Sequence, residues 1–345
     1  MARPRVAVLD DYEGVFAASE PVRRLAGRVD LDVFDAPLPA GREAEALTPY
    51  EIVVALRERT PFPAELITSL PRLEFVAQSG GHAYHADMEA LSRHGIVMAT
   101  GRPKLGGETA PQPSLMPELV FGLLFALERE IPTLDAAMRR GEWPRSLGRS
   151  VHGRTLGILG LGRHGSAVAR AAAGFGLHVA AWGPTLTTER AEAAGVELVP
   201  DLDALLDRAD IVSMHLKLSD ESRGLLGEDR LRRIGPRGVL INTARGAIVD
   251  ERALASLLRA GDLGGAALDV YAHEPLATDS PLRALDNVVL TPHVGWTTDR
   301  NLAEFAEDTV AHVEAYLDGR LPASGVANPA ALEVSRDRHG TLTSG

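Results

Sequence analysis

The stretch Leu156–Pro184, LGILGLGRHGSAVARAAAGFGLHVAAWGP, decides the fold. It opens on a short apolar run and passes through Gly160-Leu161-Gly162-Arg163-His164-Gly165. An alanine-rich segment of helical character follows, then a second apolar run. A strand, a G-x-G-x-x-G turn and a helix in that order are the start of a dinucleotide-binding βαβ unit. Each glycine has its own reason. Gly160 permits the tight turn, Gly162 lets the backbone approach a pyrophosphate, and Gly165 lets the helix lie close on the strand. The helix N-terminus then offers free N–H groups and its positive dipole end to phosphates.

The end of the stretch departs from that pattern. A carboxylate after the second strand would accept bonds from both adenosine ribose hydroxyls and repel a 2′-phosphate. Gly183 stands there and does neither. Thr185, Thr187, Thr188 and Arg190 follow; they can donate to a phosphate, or they merely begin the next helix. The cofactor is therefore read as NAD or NADP, with NAD slightly ahead.

The same rhythm extends in both directions. Upstream, Arg5–Leu9, Leu31–Phe34, Ile52–Ala55, Leu73–Ala77 and Ile96–Met98 read as strands separated by helical segments. Downstream, strands are expected at 178–181, 197–199, 211–214, 238–241, 266–269 and 287–290. Alternation of this kind predicts an α/β protein with two Rossmann-like, doubly wound parallel sheets. Between the two series lie a proline-rich loop, GRPKLGGETAPQPSLMP at 101–117, and one long helical pattern from Glu118 to Arg140 stopped by Gly141 and Pro144. A last helix is expected over 300–317, and the tail from about 331 to 345 has little to bury and is expected to be mobile.

Bulk properties narrow the class. The 345 residues are 45% hydrophobic and 24% charged, which suits an ordinary globular chain with room for two cores. A net charge of −11 disfavours general binding to nucleic acid or anionic membrane. No apolar run reaches transmembrane length, and the N-terminus enters a strand-like run directly, so a cytoplasmic enzyme is expected. The absence of cysteine excludes disulfides, thiolate catalysis and zinc–cysteine sites. His82 and His85 lack a third ligand at suitable spacing, so no metal is expected.

Three further stretches stand at strand ends of the second series: Asn242-Thr243-Ala244-Arg245-Gly246, Asp269 to Leu276 (DVYAHEPL), and Thr291-Pro292-His293-Val294-Gly295-Trp296. Ligands of open parallel sheets bind beyond the carboxyl ends of the strands, which is where Arg245, Glu274 and His293 fall. Their chemistry suits hydride transfer to a 2-oxo acid. A planar guanidinium holds carboxylate and carbonyl, His donates the proton, and a carboxylate beside the ring keeps it charged.

With these motifs the chain resembles the D-isomer-specific 2-hydroxyacid dehydrogenase family over about residues 5–325. The Arg of a TARG-like turn, the Glu beside an EP dipeptide and the His of a PH-x-G turn match Arg245, Glu274 and His293. The resemblance implies a discontinuous substrate domain (1–117 with 300–330) and an inserted dinucleotide-binding domain (118–299), with the active site in the cleft between them. It implies an NAD(P)-dependent oxidoreductase interconverting a 2-oxo acid and a D-2-hydroxy acid, paired as a homodimer through the cofactor domain. Residue by residue it carries cofactor contacts onto Arg163, His164, His215, Ala244 and Asp269, with Thr243 as a neighbour. It carries backbone contacts to the substrate carboxylate onto the loop Ser79-Gly80-Gly81-His82, and a substrate role onto Arg245.

Departures from the family pattern are Gly183, Lys217 in place of a common Pro, and the long 101–117 loop. Arg57 is read as a surface residue ahead of a cleft residue. The competing class, a dinucleotide-sensing binding protein like the family's corepressors, keeps the same three residues; the lack of a long charged or low-complexity tail disfavours it. The N-terminal half matches no branch of known specificity, so no particular 2-hydroxy acid follows from the sequence.

Overall fold

Runs of β-branched and small apolar residues form the strands of two parallel sheets. The computed structural model describes residues 3–101 and 114–339, with side chains through Ser335. Most of the 101–117 loop, Lys104 included, lies outside the described residues, as does the chain beyond 339. The fold divides into two units, one within Met1–Ala110 and Thr297–Gly345, the other within Pro111–Trp296.

In the first unit β1 (Arg5–Leu9), β2 (Asp30–Val33), β3 (Ile52–Ala55), β4 (Phe75–Gln78) and β5 (Val97–Thr100) form a sheet in the order β2-β1-β3-β4-β5. β3 and β4 are buried along their whole length, as strands covered by helices on both faces must be. The order reverses between β1 and β3, which opens a crevice at their carboxyl ends. One face is covered by the helix Asp299–Leu317. Its Ala306, Val310 and Val313 are fully buried with Val6, Val8 and Ile52. The ring of Tyr316 stacks on Phe75 at 4.4 Å between centroids. The late helix therefore belongs to the early sheet, and Val310 and Val313 each contribute on the order of 2 kcal/mol by burial.

The edge of β5 is closed by a returning segment. Asn328 accepts from the Met98 N–H at 2.8 Å and donates to Ile96 O at 2.9 Å, which occupies edge groups that would otherwise be free to pair. The chain then forms the helix Ala330–His339. Ala331 and Ser335 are buried, and Val334 lies against Gly95. The expected mobile tail from 331 is thus corrected over its first part: a few small and apolar residues suffice to seat a helix beside β5.

In the second unit β6 (Thr155–Leu159), β7 (His178–Trp182), β8 (Glu197–Leu198), β9 (Ile211–Met214), β10 (Val239–Asn242), β11 (Gly265–Leu268) and β12 (Val288–Leu290) form an all-parallel sheet in the order β12-β11-β10-β9-β6-β7-β8. The reversal falls between β6 and β9. The long helical pattern of 118–140 is two helices, Met116–Glu128 and Ile131–Arg139. Glu130 sits between them in the left-handed region at φ 52°. Pro132 explains the break: it has no N–H for the helix before it and is tolerated only in a first turn. Glu128, fully buried, ends the first helix in ion pairs with Arg149 and Arg154, each at 2.7 Å.

Candidate active site

The glycine loop joins β6 to the helix Arg163–Ala173. Gly160 has φ 98°, and a Cβ there would stand 2.9 Å from His215 O. A Cβ on Gly165 would overlap Gly160 O, so the helix can approach only as it is. Gly162 faces open space instead. Two glycines are needed for packing and the third leaves room, which is the shape a pyrophosphate requires. Ser114 Oγ lies 2.7 Å from His164 Nδ1 at the same helix end. Gly183, after β7, lies beside the loop: its Cβ position is 3.8 Å from Gly160 Cα, and the Gly160 N–H donates to Trp182 O at 2.7 Å.

Across the reversal, His215 follows β9 with Nε2 2.9 Å from Ser213 Oγ. Burial, aided by the charge of His164, pushes its pKa down to about 3, so the ring is neutral at physiological pH. Next to it the NTARG turn is held by Asn242, whose Oδ1 accepts from Ala244 N–H at 3.0 Å and whose Nδ2 donates to Arg245 O at 3.1 Å. Thr243 Oγ1 is buried and has no hydrogen-bond partner among the described residues. A buried hydroxyl without a partner is costly unless something completes it. Together with the open face at Gly162, it fits a polar ligand lying along these strand ends.

Arg245, Glu274 and His293 all lie beyond the strand ends of this unit. Gly246 brings two of their turns together, because a Cβ there would overlap the Tyr271 carbonyl. Glu274 Oε1 accepts from Tyr271 N–H at 3.0 Å, and Oε2 lies 2.6 Å from His293 Nδ1. A carboxylate only accepts, so Nδ1 carries the proton and Nε2 is the ring atom left for other chemistry. Burial alone would push the Glu274 carboxyl up. The His293 bond and charge, the Tyr271 N–H and the charge of Arg245 outweigh it and hold the group below the usual carboxylate range. Arg245 has no ion pair among the described residues; its Nη1 donates to Ala244 O at 2.7 Å. His293 itself is held at φ 55°, a left-handed conformation that a non-glycine residue keeps only when its surroundings impose it.

Asp269 imposes it. Its Oδ1 accepts from Thr291 Oγ1 at 2.6 Å and from Val294 N–H at 2.8 Å, and its Oδ2 from Gly295 N–H at 2.9 Å. Both sides of His293 are thereby tied to one buried carboxylate. Burial raises the Asp269 pKa against these bonds. Tyr271 adds a second tie, its hydroxyl donating to Thr291 O at 2.8 Å. Sequence reasoning gave Asp269 only a cofactor contact and passed over Asn242 and Tyr271. The bonded groups lie up to 26 residues apart in the chain, and no local motif announces them.

Gly80, Gly81 and His82 lie in the first unit, after β4. Gly80 has φ 77° and its carbonyl accepts from Gly101 N–H at 2.7 Å, while Gly81 faces open space. His82 stacks on Tyr84. Arg57 corrects the surface reading: its side chain is only 13% exposed, and a Cβ on Gly80 would overlap its guanidinium. It pairs with Glu58 at 3.2 Å and lies over the Phe305 ring. His85 is packed edge-on against Phe62, and among the described residues no group of three or more His, Asp or Glu could hold a metal ion. No described helix is long and apolar enough to cross a membrane.

Comparison with known proteins agrees with this geometry. Residues 121–295 match the family described as D-isomer specific 2-hydroxyacid dehydrogenase, NAD binding domain. A glyoxylate reductase of Korarchaeum cryptofilum is 34% identical over 301 residues, 85% of this chain and 88% of that protein. A D-3-phosphoglycerate dehydrogenase of Mycobacterium tuberculosis is 35% identical over 93% of this chain, which spans only 58% of the length of that relative. Among solved structures, a putative D-3-phosphoglycerate dehydrogenase oxidoreductase from Ralstonia solanacearum superposes with a TM-score of 0.86 at 30% identity, covering 95% of this chain and 98% of that one. The chain belongs to the D-isomer-specific 2-hydroxyacid dehydrogenases: it is an oxidoreductase that uses a nicotinamide dinucleotide.

Proposed function

We propose that His293 is the acid–base group of a 2-oxo acid reductase, that Arg245 binds the substrate carboxylate and carbonyl, and that Glu274 orients the imidazole. A nicotinamide dinucleotide would be held by Gly160, Gly162, Arg163, His164 and Gly165, with Thr243, Ala244 and His215 along its nicotinamide side, and when bound would supply the hydride. As the carbonyl carbon gains that hydride, the carbonyl electron pair moves to oxygen, and the proton on His293 Nε2 completes the hydroxyl. Glu274, bonded to Nδ1, fixes the ring plane and keeps Nε2 presented. Arg245, in no ion pair among the described residues, meets the planar carboxylate with its planar set of donors. On this reading the first unit is the substrate domain and the second the cofactor domain.

The single observation that carries the reading is the 2.6 Å contact between His293 Nδ1 and Glu274 Oε2 beyond the strand ends that bear the glycine loop. The test is to add glyoxylate, hydroxypyruvate and a panel of larger 2-oxo acids to the purified protein with NADH or NADPH. Oxidation of the dinucleotide with formation of the D-2-hydroxy acid is expected. An L product, or tight dinucleotide binding with no turnover on any 2-oxo acid, would overturn it.

We also propose that a second copy of the chain covers the segment after Ile131. Trp143 is 83% exposed and Leu147 93%, with Ile131 and Met138 about half exposed beside them. Large apolar side chains this exposed and this close in sequence mark an association surface. Sedimentation should give a dimer, and Trp143→Glu with Leu147→Glu should give a monomer.

A further inference from the structure

We propose that Arg190 is the anchor for a 2′-phosphate, so that this chain takes NADPH in preference to NADH; the inference rests on the dinucleotide reading of the glycine loop. The adenosine ribose of a dinucleotide on such a loop comes to the end of β7. Here that strand end is Trp182-Gly183, bonded to the loop through Gly160. No carboxylate at 183 receives the ribose hydroxyls, and none repels a phosphate.

Arg190 turns back toward the same place. Its Nη2 donates to Leu161 O, inside the glycine loop, at 3.2 Å, and its Nη1 donates to Thr185 O at 3.0 Å. The guanidinium thus bridges the two backbone segments that frame the ribose position. Both acceptors are neutral. Among the described residues Arg190 makes no ion pair, although Arg208, Arg230, Arg232 and Arg233 of the same unit are each bonded to a carboxylate. The nearest acid in sequence, Glu189, is exposed and turned to its own N–H and the Thr187 side chain. A guanidinium has five N–H donors, so the two spent on carbonyls fix its plane and leave the others for an anion. Fixed, exposed and unneutralised beside a phosphate-binding loop, this cation suits a phosphate monoester on the ribose. The sequence alone put NAD slightly ahead because it could not show that Arg190 reaches Leu161, 29 residues away.

The test is binding, independent of turnover. Nicotinamide fluorescence gives dissociation constants for NADPH and NADH, and calorimetry gives those for adenosine 2′,5′-bisphosphate and AMP. NADPH and the bisphosphate are expected to bind at least about tenfold tighter than their unphosphorylated counterparts, the scale of one charge-assisted hydrogen bond. Raised salt should shrink the ratio. Arg190→Met should remove the preference while leaving the NADH constant unchanged. Gly183→Asp is spatially tolerable, since its Cβ meets Leu186 Cβ at 3.4 Å and Gly160 Cα at 3.8 Å, both ordinary contact distances, and should reverse the order. Equal or tighter binding of NADH by the wild type would overturn the proposal. So would an Arg190→Met variant that weakens both dinucleotides alike, which would mean that the residue only braces Leu161. If the wild type bound neither dinucleotide, the glycine-loop reading would fall first and this inference with it.

Discussion

The two units contain the same arrangement of five strands, with β2-β1-β3-β4-β5 in one and β7-β6-β9-β10-β11 in the other. Each reverses its winding between its two central strands, and each therefore has a crevice at their carboxyl ends. What fills the crevices differs. After β1 the first unit places Asp10, which accepts from Tyr12 OH and from Thr60 Oγ1, both at 2.7 Å. Arg59 closes over it, bonded to Asp10 O and to Glu13 at 2.6 Å. After β6 the second unit places Gly160, then Gly162 facing open space, with Arg190 bonded to Leu161 O beside them and in no ion pair among the described residues. Topology supplies a crevice; side chains decide whether it closes on itself or stays open to a ligand. The first unit gives its polar groups to its own stability, and the second leaves them to be completed.

If that contrast is right, changes at the two sets of strand ends should separate function from stability. The largest expected effect is on turnover. His293→Ala should lower kcat by about a hundredfold to ten-thousandfold, the usual contribution of a positioned acid–base group. The dinucleotide dissociation constant should stay near wild type, while the melting temperature falls slightly, because Ala must hold the left-handed conformation and the Glu274 bond is lost. A variant with normal turnover would remove His293 from the chemistry and leave its pairing with Glu274 without a purpose. Next comes Asp10→Ala in the first unit. Asp10 is buried and sits at φ 64°. The variant loses two accepted hydrogen bonds, leaves the buried Thr60 hydroxyl unpartnered and puts Ala in a left-handed conformation. Urea unfolding should show a loss of about 2–3 kcal/mol, with dinucleotide affinity unchanged. Weakened dinucleotide binding without lost stability would mean that the first crevice is also a ligand site, and the comparison would break.

The strands, the two-sheet class and the order of Arg245, Glu274 and His293 were legible because each is encoded locally. β-branched runs, a glycine spacing and short turn motifs need no knowledge of what lies across the fold. The rest depended on pairings between distant segments. Asp269 reads from the sequence as a cofactor contact, and nothing local announces that its carboxylate also accepts from Thr291, Val294 and Gly295. Arg57 looked like a surface residue, yet it covers Gly80. The helical period over 118–140 is continuous in side chains, but Pro132 interrupts it in the backbone. In each case the deciding atom is a backbone group or a partner far away in sequence, and apolar periodicity carries no information about either.

The smallest expected effect, and the finest test of the contrast, is a pH dependence at the open site. Asp269 and Glu274 stand in one loop and are pushed in opposite directions. Burial raises Asp269, whereas the His293 and Tyr271 bonds and the charge of Arg245 overcome burial and lower Glu274. Because the folded-state pKa of Glu274 lies below that of the unfolded chain, its ionised form stabilises the fold fully above the ordinary value of about 4.3. That contribution is lost as pH falls through the lower, folded value. Glu274→Gln keeps the shape and removes the charge. Its melting temperature should lie below that of the wild type at neutral pH, and the gap should close as the pH is lowered through the carboxylate range. The gap should be small, since the pair is about one-third exposed and partly screened. A gap that persisted unchanged at acid pH would show that Glu274 acts through shape alone, and its hold on His293 would then not be electrostatic.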